Sequence, residues 1–526
     1  MGESTQGLFR KGRGMTEKRH KLLLGAGVFL VIFWRLYVCC SYHYRYLDDD
    51  QAVLWYGTVM FAHGSFPEPC FFGQNYGSMI EALFAVPLFL CRWPLNIALP
   101  TVTTILCLLP FIFLICVMIR RKNWMQAWII LMFLAAMGWQ WDAVTSLPRA
   151  LIGGFPFAVI GVILLNEEDD RKWKAALGTI LCFMGITITT TTISVVGIGV
   201  VYRLVRYKSL KAKMPAILFG SIVGGMCYGG QRLFYRIHPE HALYLMDKGK
   251  SSLEVFLYNM RFLPERMTEF CFAGKAGMVL IPVLLVFSLY YMIRKKNYLL
   301  LVITLISVAG SLFMISYHRT MQFYENSILF GQLRTVLYMS FLALTILGLA
   351  GISDGAEGCK DYDRKKYRAF PIAVVLILGW KVLAFTAAVN NEESALYNGE
   401  LVNIYSVDSL KEEAKEMVEL AHSANADILV TVSYARFFAY AAKALYYDDP
   451  VEFYIPDCDR RVWVYQRMQE PGDHRMLLFS LPVSENMYAD IIELHNDSPV
   501  AYFEREFGLV RGGEDVWGIP LGETED

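Results

Sequence analysis

Charged residues are scarce in this chain, and long stretches of it have none. Asp, Glu, Lys and Arg together make up 19% of the 526 residues, whereas apolar residues make up 55%. This composition excludes an ordinary soluble protein of this size. Several apolar runs approach the roughly 20 residues that cross about 30 Å of hydrocarbon, and the mean hydropathy is +0.37. The sequence therefore predicts a multi-pass membrane protein in a lipid bilayer.

The chain also has no excess charge of either sign, with 49 basic and 49 acidic residues. That balance gives no indication of nucleic acid or an acidic polymer as a partner. The 11 cysteines form no CxxC pair and no spacing typical of metal ligands, so we expect apolar packing for most of them. No small-residue cleavage site follows the first apolar run, which predicts an uncleaved first transmembrane helix.

Eleven apolar segments could cross the membrane. They cover approximately residues 21–39, 95–119, 125–140, 150–165, 174–188, 190–206, 214–230, 276–293, 298–316, 333–352 and 371–389. The stretch 174–206 is too long for one crossing at 1.5 Å per residue, so we predict two helices with a break near 187–192. Residues 1–20 are predicted to be a disordered, basic cytoplasmic tail, and residues 21–389 an α-helical polytopic membrane domain.

Basic residues in the short loops predict the orientation of the chain. If the N-terminus is cytoplasmic, clusters of Lys and Arg fall on one side, at residues 120–122, 171–174, 203–213, 294–296 and 364–368. The short loops on the other side carry few basic residues. This alternation predicts that residues 40–94 form a first external loop and that residues 390–526 also lie outside.

Charge density rises in the last part of the chain, residues 390–526, and the apolar bursts become short. We predict strands at 426–433, 451–457, 475–482 and 498–506, and helices at 436–447 and 484–494. This alternation of strands and helices predicts a soluble C-terminal α/β domain. It contains no GxGxxG, P-loop or nucleophile-elbow motif, so we predict no nucleotide site in it.

Three consecutive carboxylates, Asp48, Asp49 and Asp50, follow the first apolar segment. Carboxylates so close to hydrocarbon are costly unless they face an aqueous cavity, which indicates a function. Repulsion among adjacent carboxylates raises the pKa of at least one of them towards a value suited to proton abstraction. The alternative is that the triplet caps the next helix at its N-terminus, with Asp48 as the cap.

The remainder of the loop 40–94 is too long for a simple turn. Two short apolar stretches, 51–62 and 79–92, are predicted to be helices in the outer membrane interface. The glycine-containing run 71–81 joins them. Three polar side chains of this run could bind a substrate or tie the loop to neighbouring helices: Gln74, Tyr76 and Glu81.

The order of these features resembles that of the C-superfamily membrane glycosyltransferases, specifically the protein-mannosyltransferase and aminoarabinose-transferase type. An acidic motif follows the first crossing, an interfacial helix ends in AHG at 62–64, and a Pro-containing turn leads to FFGQNYGSMIEALFAVPLF from residue 71. The second crossing ends in Arg-Arg-Lys at 120–122. The resemblance covers about residues 20–210, and beyond them only the architecture is similar.

The resemblance implies an inverting enzyme that moves a sugar from a polyprenyl-phosphate donor to a cell-envelope acceptor on the external face. An Asp in the first external loop would deprotonate or orient the acceptor hydroxyl, and the lipid phosphate would leave. The family's acidic motif matches Asp49 with Asp50, or Asp50 with Gln51, so the base is open between Asp49 and Asp50. Enzymes of this type generally need no metal. We therefore expect no cofactor, although the triplet could hold a divalent cation.

The donor phosphate requires cationic or backbone donors on the outer side. Candidates in the predicted external loops are Arg149, His318 and Arg319, although an arginine at a helix end is otherwise an interfacial anchor. Lys381 lies in the middle of the last apolar segment, where an ammonium group needs a partner or water. We predict that it has a functional role in binding the donor phosphate or sugar.

Two other functions fit the same architecture. One is a transporter or flippase of lipid-linked sugars, although Gly/Pro-broken helices do not recur in two symmetric halves of the sequence. The other is a non-catalytic relative that assists assembly, which would keep the scaffold and tolerate loss of Asp49 and Asp50.

Overall fold

Helices account for most of the described residues up to residue 390, and strands alternate with helices in the described residues after it. The computed structural model describes residues 3–47, 49–70, 77–148, 152–167, 171–206, 210–241, 251–316, 332–353, 369–390, 405–433, 436–456, 462–481 and 488–507. Up to residue 390 the helices are α1 (Glu3–Val38), α2 (Asp49–Ala62), α3 (Ile80–Leu90), α4 (Leu95–Arg120), α5 (Trp124–Ala136), α6 (Trp139–Val144), α7 (Gly154–Asn166), α8 (Lys172–Ile188), α9 (Ile193–Val205), α10 (Leu210–Ile237), α11 (Leu253–Met260), α12 (Leu263–Phe270), α13 (Gly277–Arg294), α14 (Tyr298–Met314), α15 (Gln332–Ser353) and α16 (Ala369–Asn390).

Ten of the eleven segments predicted to cross the membrane overlap one of these helices each, whereas the segment 125–140 covers most of α5 and runs into α6. Among the described residues, four helical stretches are both long and apolar enough to span a bilayer: Lys18–His43, Leu95–Arg120, Gly274–Arg294 and Ala369–Val389. Several of the other apolar helices are shorter. The chain is therefore a multi-pass membrane protein, and the number of crossings stays a prediction.

The prediction of a disordered tail over residues 1–20 is wrong over its described part, because α1 already begins at Glu3. Its first turns contain Gln, Leu, Lys, Arg and Met, which have high helix propensity. These turns are also continuous with the apolar part of the same helix, so their formation requires no separate helix nucleation.

The predicted break between α8 and α9 is confirmed. Thr189 is extended, with φ −142° and ψ 106°, and a 3₁₀ turn over Thr190–Thr192 leads into α9. The Thr192 hydroxyl donates to the Thr189 carbonyl over 2.8 Å, and the Thr189 hydroxyl accepts from the Gly154 N–H over 3.2 Å. The first bond stabilises the turn at the break, and the second satisfies an N–H group at the start of α7.

The C-terminal segment, residues 405–507, contains the elements β2 (Tyr405–Ser406), α17 (Val407–Ser423), β3 (Ile428–Ser433), α18 (Arg436–Leu445), β4 (Glu452–Tyr454), α19 (Val462–Met468), β5 (Gly472–Leu481), β6 (Tyr488–Asp497) and α20 (Pro499–Phe507). Four strands form one sheet in the order β4-β3-β5-β6. β3 is parallel to β4 and to β5, and β6 is antiparallel to β5.

Two element predictions in this segment are wrong. Residues 484–494, predicted as a helix, contain part of β6, which pairs with β5. Residues 498–506, predicted as a strand, lie mostly in α20, whose first turn is capped by the Ser498 hydroxyl accepting from the Ala501 N–H over 2.9 Å. Pro499 then occupies a position that favours a helix start. Periodicity alone does not separate such short segments of mixed polarity.

Helix α2 joins the helical part of the chain to the C-terminal segment. Residues 51–60 are all buried, because α3 packs on one side of α2 and α18 on another. Just before α2, strand β1 (Tyr46–Leu47) pairs antiparallel with β2. Buried apolar residues of α2, α3 and α4 form one continuous cluster with those of α17, α18 and the neighbouring strands. The two parts of the chain thus share one core.

Candidate functional site

The acidic motif lies at the start of α2, which begins at Asp49. Asp48, and the side chains of Asp49 and Asp50, lie outside the described residues. Gln51, the next residue, is buried. Carboxylates in a first turn are favoured by the open N–H groups and the helix dipole. Both interpretations of the motif, catalytic and capping, therefore stay predictions.

A π-helical turn, Cys39–His43, connects α1 to the segment that carries the acidic motif. Turns of this kind occur frequently at functional sites. Helix α4 holds this stretch from the side: the Tyr44 hydroxyl lies 2.8 Å from the Thr101 hydroxyl, and Asn96 donates to the Tyr44 carbonyl over 2.7 Å. The approach to the motif is thus fixed to the helical part of the chain as far as Tyr44.

Three charged side chains form a buried cluster between helices, and one of them lies directly before this turn in the chain. Arg35 belongs to the last turn of α1, Asp142 to α6 and Lys381 to α16, and each is at most 1% exposed. Arg35 Nη1 donates to Asp142 Oδ1 over 2.8 Å, and the Lys381 ammonium group contacts Asp142 Oδ2. The Asp142 carboxylate therefore links α1, the first helix of the chain, with α16, the last helix before residue 390.

Neighbouring groups add further hydrogen bonds to this cluster. Trp34 Nε1 donates to Asp142 Oδ2 over 2.6 Å, Arg35 Nη2 donates to the Thr145 hydroxyl over 2.6 Å, and Lys381 donates to the Ala135 carbonyl over 3.2 Å. A buried charge is tolerated only when it is paired and bonded in this way. These contacts join α1, α5, α6 and α16.

The sequence predicted that Lys381 needs a partner, and the structure supplies Asp142. The role of Lys381 in binding the donor stays a prediction. Sequence reasoning missed Arg35 and Asp142 as members of the cluster. The available signal was the presence of Arg35 near the end of an apolar run, where an ionisable residue requires a partner.

An apolar cavity of about 490 Å³ opens towards the other end of α2. It is lined by Phe61, Phe66, Glu68, Pro69, Ser78, Met79, Ile80, Leu83, Thr187, Cys227, Gly230, Gln231 and Phe234. The volume lies in the range of sites that enclose one small molecule. α2 has 14 residues, so the helix separates its two ends by about 20 Å. The cavity is therefore distant, along the helix, from the acidic motif.

Hydrogen bonds hold the cavity wall together. The Tyr235 hydroxyl donates to Glu68 Oε2 over 3.1 Å and accepts from the Cys70 N–H over 3.1 Å. Gln231 donates to the Thr187 carbonyl over 3.1 Å. These bonds attach the connection between α2 and α3 to α8 and α10. The Glu68 side chain itself is fully buried.

Of the other predicted site residues, Glu81 is fully buried in the first turn of α3, beside the cavity-lining Ile80. Gln74, Tyr76, Arg149, His318 and Arg319 lie outside the described residues. Over the part of the chain that the structure describes, no group of three or more His, Cys, Asp or Glu side chains could hold a metal ion. Because the side chains of the acidic triplet are not in that part, the expectation of no metal stays a prediction.

The fold of the chain has counterparts among solved structures. The structure is similar to that of ArnT from Cupriavidus metallidurans in the apo state, with a TM-score of 0.52 and 13% sequence identity over 87% of this chain and 93% of that chain. ArnT bound to undecaprenyl phosphate gives a TM-score of 0.51 with the same identity and coverage. No protein-family model matches the sequence, and comparison with curated protein sequences gives no match. The predicted resemblance is confirmed at the level of the fold.

Proposed function

We propose that this protein is an inverting membrane glycosyltransferase that moves a sugar from a polyprenyl-phosphate donor to a cell-envelope acceptor. The observation that carries the proposal is the similarity of fold to ArnT over 87% of the chain. One of the two similar ArnT structures has undecaprenyl phosphate bound. The acidic motif at the start of α2 supports it. This motif supplies the carboxylate that such a reaction requires.

In the proposed enzyme, eleven helices cross the membrane, the N-terminus is cytoplasmic, and the C-terminal segment forms an external α/β domain. The alternation of basic loops in the sequence supports this orientation. The acidic motif and the acceptor then meet on the external face.

In the proposed reaction, Asp49 or Asp50 accepts the proton of the acceptor hydroxyl as its oxygen attacks the anomeric carbon. The bond from that carbon to the phosphate oxygen breaks, the polyprenyl phosphate leaves with the electron pair, and the configuration inverts. Arg149, His318 and Arg319 are the proposed ligands of the departing phosphate. Gln74, Tyr76 and Glu81 are the proposed contacts to the sugar or the acceptor.

The cluster around Asp142 supports this arrangement. It fixes the last turn of α1, and the chain reaches the acidic motif from that turn through the π-helical turn and β1. Because the Lys381 ammonium is buried against Asp142, we assign Lys381 to holding Asp142 in place.

The test measures release of polyprenyl phosphate from a panel of radiolabelled polyprenyl-phosphate sugars, with cell-envelope extract as acceptor. Membranes carrying the wild type are compared with Asp49→Asn and Asp50→Asn. We expect one of the two substitutions to lower turnover by roughly 10²- to 10⁴-fold, as loss of a general base does. That result would also identify the base.

The matched control is Asp473→Asn, an exposed carboxylate in β5, which should keep wild-type turnover at equal protein level. Turnover that survives both motif substitutions would remove the aspartates from the mechanism. Lipid-linked sugar that crosses the bilayer without being consumed would favour the transporter.

A further inference from the structure

The segment that carries the acidic motif is attached to two different parts of the chain. As far as Tyr44 it is held by α4, through the bonds to Thr101 and Asn96. From Arg45 it is held by the C-terminal segment: the Val407 N–H donates to the Arg45 carbonyl over 2.7 Å. Tyr46 and Leu47 then pair with Ser406 and Tyr405 in the β1–β2 ladder.

The C-terminal segment also covers the helix that follows the motif. α18 packs on α2, and four alanines of α18 are buried: Ala439, Ala441, Ala442 and Ala444. Small side chains let two helix backbones approach closely. At the end of α2, the His63 ring stacks on Tyr447 with ring centroids 4.4 Å apart. The same segment thus holds the backbone immediately before the motif and packs on the helix that follows it.

We propose that Val407 and the strand β2 are positioning elements for the acidic motif, so that the C-terminal segment acts on turnover through the geometry of Asp49 and Asp50. The effect on turnover rests on the proposed function. The attachment of the backbone before the motif does not, because it follows from the Val407–Arg45 hydrogen bond and the β1–β2 ladder alone. An error of about 1 Å in the position of a catalytic group lowers a rate by roughly 10²-fold.

The chain offers a substitution that removes this one hydrogen bond. Val407 is the first residue of α17, with Ser406 as its N-cap, and proline is favoured at that position of a helix. Ser406 has φ −66° and ψ 144°, a conformation that a following proline requires. Val407→Pro therefore keeps α17 and removes the N–H that bonds Arg45. Val407→Ala is the matched control, because it shortens the buried side chain and keeps the N–H.

Two measurements test the proposal. Hydrogen–deuterium exchange should be faster in Val407→Pro over peptides covering residues 44–54, and unchanged over α17. Turnover should fall by roughly fivefold or more in kcat, with KM for the lipid-linked donor within about twofold of wild type. Val407→Ala should match the wild type in exchange over residues 44–54 and retain kcat within about twofold.

Three results would overturn the proposal. Exchange over residues 44–54 that is equal in Val407→Pro and wild type would show that the bond does not hold the segment. Faster exchange with unchanged kcat would show that the segment is held but does not affect turnover. An equal loss in Val407→Ala would assign the effect to side-chain packing. Hydrogen–deuterium exchange can be measured even if no donor in the panel is turned over. A failure of the proposed function can therefore be distinguished from a failure of the proposed attachment.

Discussion

Arg35 Nη1 donates to Asp142 Oδ1 over 2.8 Å, and neither side chain reaches solvent. Lys381 approaches the same carboxylate from α16. Removing one member of a buried ion pair leaves a charge without compensation, which costs about 3–5 kcal/mol. Replacing all members by apolar residues of similar size is often neutral or stabilising. The difference in stability between a single substitution and replacement of all three residues therefore tests whether the charges are paired with one another.

We predict that Asp142→Leu destabilises the protein by about 3–5 kcal/mol, because it leaves Arg35 and Lys381 buried without their acid. The triple variant Arg35→Met, Asp142→Leu, Lys381→Met should recover most of this loss. The measurement is the unfolding temperature of purified protein in detergent, together with the amount of protein in the membrane.

Asp408→Asn is the control for Asp142→Leu, because Asp408 is an exposed acid in the first turn of α17. It should change stability by at most about 1 kcal/mol, which is the contribution of an exposed acid in the first turn of a helix. A triple variant less stable than Asp142→Leu alone would contradict this account of the cluster. It would show that the three side chains contribute packing that methionine and leucine do not replace.

The contact between α7 and α8 gives the second prediction. A Cβ atom added at Gly178 would lie 2.6 Å from the Leu165 nitrogen and 2.8 Å from the Gly161 carbonyl oxygen. Both are backbone atoms, so the two helices must move apart. We expect Gly178→Ala to lower stability by about 1–3 kcal/mol, measured as a lower unfolding temperature.

The control for that substitution is Gly197→Ala in α9, where an added Cβ meets nothing within 4 Å. Because alanine is favoured over glycine inside a helix by about 1 kcal/mol, this variant should be as stable as the wild type or slightly more stable. Equal unfolding temperatures for the two variants would contradict close packing of α7 on α8.

The third prediction concerns two cysteines on either side of α3. Burial raises the pKa of the Cys70 thiol to about 11, and the neighbouring Glu68 carboxylate adds to the effect. Alkylation requires the thiolate, so at pH 8 Cys70 should react at least tenfold more slowly than Cys91, which is exposed. Maleimide labelling followed by peptide mass spectrometry measures both rates.

Equal rates for Cys70 and Cys91 in folded protein would contradict the burial of Cys70 in the connection between α2 and α3. After denaturation the two should label alike.

The helices of the membrane part were predictable because a bilayer-spanning helix needs a long apolar run and little else. The C-terminal segment was harder, since a run such as residues 488–497 has a period that fits a helix or a strand, and its pairing with β5 decides the outcome. The pairing of Lys381 with Asp142 was not predictable in detail. The sequence shows that an ammonium at that depth needs a partner, but the choice of partner depends on how α1, α6 and α16 pack.

Strand β1 is made early in synthesis, and its partner β2 only after the whole helical part. At about 5–20 residues per second, the interval between Leu47 and Tyr405 is on the order of tens of seconds. During that time α2, which is buried along residues 51–60 in the finished protein, has no α18 to cover it. The order of biogenesis therefore leaves the acidic motif incomplete until the last fifth of the chain has emerged. A protein truncated before residue 405 would insert its helices but leave the surroundings of the motif unfinished.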